Sequence, residues 1–144
     1  MKKLVMFFLF CFAVVSFAEE RKIGEVATKG IVLRKKIEIC AIEDPDIKGI
    51  TIFYTKTVVP GILYNEYGTD SSISVRQTGQ IIGTPSTKEN LLQHSSNLFF
   101  KKLVIDRFYD QTSNSLIYLV YTTATDGNNN AHSISVVTLT RGLE

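Results

Sequence analysis

The chain has 144 residues, a length that suits one domain with a hydrophobic core of its own. It contains 16 lysines and arginines against 14 aspartates and glutamates, so its formal net charge is only +2. This near-balance excludes the strongly basic composition that marks nucleic-acid-binding domains, and we expect no nucleic-acid partner.

The first 18 residues have the three parts of a secretory signal peptide. Lys2 and Lys3 precede an apolar run, Leu4–Val15, and Ser16–Ala18 supplies the small residues of a cleavage site. The run is shorter than the roughly twenty apolar residues that span a bilayer, so we expect cleavage and no stable membrane anchor afterwards. The remaining chain, 19–144, has equal numbers of acidic and basic residues, and we expect it to be a single exported β-rich domain.

Seven segments rich in β-branched and aromatic residues, bounded by turn formers, predict β-strands. They are Ile23–Ile31, Lys36–Ile42, Gly49–Val58, Ile73–Ile81, Lys101–Tyr109, Leu116–Thr123 and Ser133–Thr140. Polar turn residues at 110–114 separate the fifth segment from the sixth, which predicts a hairpin over Lys101–Thr123.

One short helix is predicted between the fourth and fifth strands. Ser86 is placed to cap its first turn, Glu89 follows three residues later, and Leu91 and Leu92 would supply the apolar face up to about Ser95. With this helix, the predicted fold class is a β-rich α+β fold: a mainly antiparallel sheet of about seven strands and one short helix.

Cys40 is the one cysteine outside the predicted signal peptide, so we expect no disulfide within the chain. It follows Ile39 and precedes Ala41, and free cysteine in such surroundings behaves as a small hydrophobe. Burial is therefore the favoured interpretation, and an intermolecular disulfide is the alternative.

The acidic stretch Glu43-Asp44-Pro45-Asp46 is interpreted as a turn rather than a metal site. Proline suits the second turn position, and an aspartate before it can accept bonds from nearby backbone amides. A calcium loop would need further alternating oxygen ligands and a distal bidentate acid, which do not follow.

No catalytic, metal or cofactor motif is apparent elsewhere. His94 and His132 are the only histidines and stand far apart. No nucleophile elbow, phosphate loop or paired-cysteine motif occurs. We therefore expect no metal, no cofactor and no recognisable catalytic residue.

Two charged residues interrupt the apolar segment Lys101–Tyr109. Alternation places Asp106 on one face with Phe108, and Arg107 on the opposite face with Ile105. A buried charge must be paired, because leaving it alone is costly. In the favoured interpretation, the segment is an edge strand whose charges reach solvent, or its charges are paired within the protein. In the alternative, the segment is part of a ligand groove.

Six blocks of sequence, in order over nearly all of the chain after residue 18, support a family resemblance. They are IGEV (Ile23–Val26), EDPDIKGIT (Glu43–Thr51), ISVRQTGQI (Ile73–Ile81), LFFKKLVIDRFYD (Leu98–Asp110), LIYLVYT (Leu116–Thr122) and NAHSISVV (Asn130–Val137). Together they resemble the CreA family of exported bacterial proteins. The resemblance implies a small periplasmic domain and carries over no catalytic residues.

The resemblance also implies that two residues of this chain lie close together. Two strand cysteines of many family members, a disulfide pair in the pattern, align with Ile52 and Val75 of this chain. We therefore expect these two residues on neighbouring or facing strands, with their side chains in contact.

The candidate site is the place where the Asp44–Lys48 corner would approach the Asp106–Asp110 end of the hairpin. Its residues are Asp44, Asp46, Lys48, Asp106, Arg107, Tyr109 and Asp110. Arg107, which can grip a carboxylate with two donors, either binds a partner there or ties the corner to the hairpin, and the internal role is favoured.

For function, we expect a non-catalytic binding or accessory protein of the cell envelope, with an unidentified envelope protein as its partner. The alternative is an enzyme of unrecognised type whose site is assembled from distant residues.

Overall fold

The computed structural model describes residues 19–29, 35–60, 65–67, 71–95, 102–123 and 131–140. The predicted signal peptide lies outside these ranges, as does the end of the first predicted strand.

The described residues form nine strands and no helix. The strands are β1 (Arg21–Ala27), β2 (Lys36–Glu43), β3 (Lys48–Pro60), β4 (Asn65–Tyr67), β5 (Ile73–Ile82), β6 (Lys88–Ser95), β7 (Lys102–Asp110), β8 (Ser115–Thr123) and β9 (His132–Thr138). The described part of the chain is therefore all-β, and the expectation of an α+β fold with about seven strands and one helix was wrong.

The strands form two sheets, and every pairing among the described residues is antiparallel. The first sheet has the order β1-β2-β3-β4, with β5 also paired to β3. The second sheet has the order β6-β7-β8-β9. At one border of the sheets a side chain joins β5 to β9, where the backbone N–H of Val75 donates to Oγ of Ser135 at 2.9 Å.

One hydrophobic core lies between the two sheets. Alternate residues of β3, among them Ile50 and Ile52, pack with Ile105 of β7 and Leu116 of β8, and these side chains are fully buried. Cys40 belongs to the same core, so the prediction of its burial is confirmed. Burial and a hydrogen bond to Glu20 raise the pKa of the Cys40 thiol to about 12, which keeps it protonated and unreactive at neutral pH.

The predicted helix is the strand β6, because tertiary contacts override the local capping signal. The backbone carbonyl of Ser86 accepts from Nε of Arg107 at 2.8 Å instead of starting a helix. Thr87 Oγ1 accepts the backbone N–H of Tyr109 at 3.1 Å. A bulge follows, where Asn90 has φ of +52°, and this irregularity hides the alternation of a strand in the sequence.

The hairpin predicted over Lys101–Thr123 is present as β7 and β8, with a turn at 111–114. β7 pairs with β6 on one side and β8 on the other, so it is an interior strand. The interpretation of this segment as an edge strand was therefore wrong, and its charges must be satisfied inside the protein.

The expectation that Ile52 and Val75 lie on neighbouring strands is confirmed. They stand directly opposite each other in the β3–β5 register, and both belong to the core. Since the N–H of Val75 donates to Ser135, away from β3, this is a non-hydrogen-bonded pair. Side chains approach most closely in such pairs, with Cα atoms about 4.5 Å apart.

We predict that the double variant Ile52→Cys/Val75→Cys forms an intramolecular disulfide, because these Cα atoms lie within the usual range of about 4.4–6.8 Å. Thiol titration and intact mass under oxidising conditions measure its formation. The control is Ile52→Cys/Ser74→Cys, because Ser74 is exposed, lies opposite Phe53 and projects from the other face. Cys40 stays a thiol in both outcomes, so free thiols at positions 52 and 75 in addition to that of Cys40 would contradict the register.

Candidate functional site

The acidic corner between β2 and β3 folds around its own aspartate. Oδ1 of Asp44 accepts the backbone N–H groups of Asp46 and Ile47, each at 2.9 Å. The N–H of Asp44 donates to the carbonyl of Ile50 at 3.0 Å, which closes the corner. An aspartate before proline is suited to this turn, because its short side chain reaches the amides two and three residues on.

Gly49 allows the chain to turn from this corner into β3. It has φ of +85° and lies at a bulge in the pairing with β5. A Cβ at this position would overlap the backbone carbonyl of Gln80, so another residue would have to displace main-chain atoms as well as adopt a left-handed conformation.

Arg107 of β7 reaches the corner through both ends of its guanidinium group. Nη1 donates to Oδ1 and Oδ2 of Asp44 at 2.5 and 2.6 Å. Nη2 donates to Oδ2 of Asp46 at 3.1 Å. The corner of the first sheet is therefore tied to an interior strand of the second sheet by charge-assisted bonds, the strongest class of hydrogen bond in proteins.

The remaining donors of Arg107 bind the segment before β6. Nε donates to the carbonyl of Ser86 at 2.8 Å, and Nη2 donates to its hydroxyl at 3.2 Å. A guanidinium group has five N–H donors, and the five bonds to Asp44, Asp46 and Ser86 use all of them. A ligand could bind Arg107 only by displacing one of these partners.

Tyr118 of β8 completes the arrangement from the other side. Its hydroxyl donates to Oδ2 of Asp44 at 2.6 Å, so the carboxylate accepts bonds from a tyrosine, an arginine and two backbone amides. We call this group the corner cluster. Its members are Asp44, Asp46, Ser86, Arg107 and Tyr118.

Burial determines the electrostatics of the corner cluster. The side chains of Asp44 and Arg107 are both 0% exposed. Burial alone would lower the pKa of Arg107, but the hydrogen bonds and charge of Asp44 outweigh it and the pKa is raised. Burial, followed by the hydrogen bond to Asp44, raises the pKa of Tyr118 above its usual range, so it remains a donor. The ion pair is thus excluded from solvent and stabilised by its own hydrogen bonds.

Asp46 forms the solvent-facing side of the corner cluster. Lys88 of β6 holds both of its carboxylate oxygens, with Nζ at 3.0 Å from Oδ1 and 2.8 Å from Oδ2. The hydrogen bond from Lys88, with a smaller contribution from Arg107, lowers the pKa of Asp46 below its ordinary value of 3.8. Asp46 therefore stays ionised well into the acidic range.

The structure does not bring the other predicted site residues into the corner cluster. Lys48 is exposed at the start of β3. Asp106 faces away from Arg107, and its carboxylate accepts the N–H of Asn90 at 2.7 Å and the hydroxyl of Tyr121 at 3.0 Å. Its role in this geometry is to hold the bulge of β6.

Tyr109 and Asp110 serve the β7–β8 turn. The hydroxyl of Tyr109 donates to Oδ1 of Asn114 at 3.0 Å. Asp110 accepts the backbone N–H of Thr112 at 3.0 Å and the hydroxyl of Ser113 at 2.6 Å. These bonds keep the turn in shape and do not reach the Asp44–Lys48 corner.

Three residues of the arrangement were not predicted from the sequence: Ser86, Lys88 and Tyr118. Ser86 was interpreted as a helix cap, so its polar groups were expected to bond within that helix. Tyr118 lies in a strand predicted to be central, and a buried tyrosine hydroxyl requires a hydrogen-bond partner. That requirement was the available signal, although it could not identify Asp44.

In the described part of the chain, no group of three or more His, Cys, Asp and Glu side chains could hold a metal ion. Nor is any described segment a helix long and apolar enough to cross a membrane.

We predict that Arg107→Ala strongly destabilises the protein, because Asp44 would remain buried without its partner. Removing one member of a buried ion pair costs about 3–5 kcal/mol of the free energy of unfolding. Chemical denaturation measures the loss. Arg76→Ala is the matched control, because Arg76 is an exposed arginine of β5 with no side-chain bond among the described residues. Equal, small losses in both variants would contradict the predicted role.

Acid should weaken the contribution of Asp46. Its lowered pKa means that its stabilising effect is complete above about pH 4 and is lost as the pH falls through the pKa of the folded state. The difference in Tm between the wild type and Asp46→Asn should therefore be constant near neutral pH and shrink in acid. Glu43→Gln, a change at an exposed acid of the same corner, is the control. A difference in Tm that widens in acid would reverse the predicted sign.

Comparison with known proteins identifies the family of this chain. A family model described as CreA protein matches residues 23–142. Proteins named Protein CreA from three strains of Escherichia coli are each 34% identical to this chain over 116 residues, which cover 72% of this chain and 74% of theirs. No solved structure matches it. The chain therefore belongs to the CreA family.

Proposed function

We propose that this CreA-family protein is exported to the periplasm and acts there as a non-catalytic binding or accessory protein of the cell envelope. Export is supported by the signal-peptide pattern of residues 1–18. All nine described strands follow this segment, so its removal would take none of them from the fold.

The binding role is supported above all by an exposed apolar patch on the outer face of the second sheet. The register places Phe108, Ile117 and Val136 side by side across β7, β8 and β9. Leu119 and Ile134 form the adjacent row. Ile134, Val136 and Phe108 are 61%, 56% and 38% exposed. We call these five residues the outer patch.

The pattern of β9 is the reverse of an ordinary surface strand. Its serines, Ser133 and Ser135, are half-buried on the face toward the core, whereas Ile134 and Val136 project into solvent. Surface strands normally direct apolar residues inward and polar residues outward. Contiguous exposed apolar surface of this kind marks interaction sites.

The shape of the outer patch favours a protein as its occupant. The outer patch is an open, three-strand face, whereas small-molecule sites are concave. A stable protein interface buries about 800 Å² on each partner, which a three-strand face can supply together with its rim. We therefore infer an envelope protein with an apolar surface as the partner.

The buried reactive groups favour binding over catalysis. The pKa values of Cys40 and Tyr118 are strongly raised, and both residues are completely or almost completely buried. A catalytic acid, base or nucleophile has to reach its substrate. These perturbed groups therefore reflect packing in the core.

The proposal is tested by affinity capture of the tagged protein from the envelope of an expressing bacterium. The wild type is compared with Val136→Asp, which charges the outer patch, and with Val26→Asp on the other sheet. The two valines are 56% and 57% exposed, so they form a matched pair. Both variants are first checked for native Tm, and intact mass should show a processed chain that begins at Glu19.

We expect wild type and Val26→Asp to recover the same partner, and Val136→Asp to recover at least tenfold less. Equal recovery by all three would remove the outer patch from the proposal. If Val136→Asp instead dissociated a homodimer, the partner at the outer patch would be a second copy of this chain. The envelope-partner proposal would then be overturned. An unprocessed chain in the cytoplasm would overturn export.

A further inference from the structure

A cavity of about 510 Å³ lies beside the acidic corner, on the outer face of the first sheet. Its lining includes Arg21 of β1, Ala41 and Glu43 of β2, and Lys48 and Thr51 of β3. Arg21 stands opposite Ala41, and Glu43 stands opposite Thr51, so these four side chains share one face. This volume falls within the range of about 300–1,000 Å³ that is usual for small-molecule sites.

The cavity has a small floor of buried residues and charged walls. Ala41 and Thr51 are only 2% and 6% exposed. Around them, Glu19, Arg21, Glu43 and Lys48 line the cavity and are exposed. Within the described residues, none of these four charged side chains forms a hydrogen bond or an ion pair. Two cations and two carboxylates therefore line the cavity with their bonding capacity unused.

The unused charges contrast with the other face of the same strands. There, six charged side chains of the N-terminal segment and β1–β3 are joined by ion pairs at 2.5–3.7 Å. They are Glu20, Lys22, Glu25, Lys36, Glu38 and Lys56. Since the sequence pairs its charges on one face, the unpaired set around the cavity is available to a ligand.

The spacing of the opposite charges indicates the size of that ligand. Arg21 and Glu43 lie on neighbouring strands and two residues apart in the register. With about 4.8 Å between strands and about 3.4 Å per residue, their Cα atoms are about 8 Å apart. The two charges of a free amino acid share one carbon atom, whereas an extended chain of two or three residues spans about 7–10 Å.

We propose that this cavity binds a zwitterionic short peptide. Its carboxylate is held by Arg21, which offers a two-pronged donor set, with Lys48 beside it. Its ammonium group is held by Glu43, and its backbone lies over the small floor of Ala41 and Thr51. The site is independent of the outer patch, which belongs to the other sheet.

The test is an NMR titration of isotope-labelled protein with trialanine up to millimolar concentration. We expect saturable shifts of amide signals at 41–51. Acetylating the amino end or amidating the carboxyl end should each weaken binding at least tenfold, because each cap removes one charge. Free alanine tests whether a single amino acid is a sufficient ligand. It should bind at least tenfold more weakly than trialanine.

Variants of the lining residues test whether trialanine binds in this cavity. Arg21→Gln and Glu43→Gln should each weaken trialanine binding at least tenfold, and Ala41→Leu should block it by filling the floor. Lys102→Gln and Glu89→Gln, at exposed charges of the second sheet, should leave it unchanged. No shifts with trialanine, equal binding of the capped peptides, or tighter binding of alanine would each overturn the proposal. Since Arg21→Gln and Glu43→Gln alter exposed side chains, they keep the test valid should Ala41→Leu fail to fold.

Discussion

The buried ion pair between Asp44 and Arg107 is the interaction on which the arrangement of the two sheets depends. Taking both charges out of water is costly, and the cost is offset only when the geometry is good and the remaining donors and acceptors are satisfied. Here all five donors of Arg107 have acceptors, and Asp44 also accepts from Tyr118 and two backbone amides. One pair therefore joins the β2–β3 corner to β7, β8 and the segment before β6.

This constraint also positions the surfaces to which we assign recognition. Asp44 and Pro45 line the cavity, so the bonds that hold the corner also hold one wall of the proposed peptide site. Arg107 points inward from β7, and alternation directs its neighbour Phe108 outward into the outer patch. The two proposed surfaces lie on opposite sheets, which lets a small ligand and a protein partner bind without direct overlap.

Local patterns predicted much of the fold, and contacts between distant residues account for what they missed. Alternation and turn residues identified seven of the strands, because both signals are local. The helix prediction failed because Ser86 uses its polar groups for Arg107 rather than for a helix end. Likewise, the sequence showed that Arg107 needs a partner. It did not show that Tyr118 donates to Asp44, which lies 74 residues away in the chain. Asp106 and Asp110 were grouped with the corner because they belong to the same block of family resemblance as Arg107, although alternation already placed Asp106 on the opposite face.

The most direct test of the central claim is a double-mutant cycle of Asp44→Asn and Arg107→Met, with the free energy of unfolding measured in urea. Each single variant leaves one buried partner unsatisfied, whereas the double variant leaves no unpaired charge. The ion pair predicts a coupling energy of about 2–3 kcal/mol, at the upper end of values for directly interacting residues. Additivity within about 0.5 kcal/mol would show that the two residues act independently and would contradict the account.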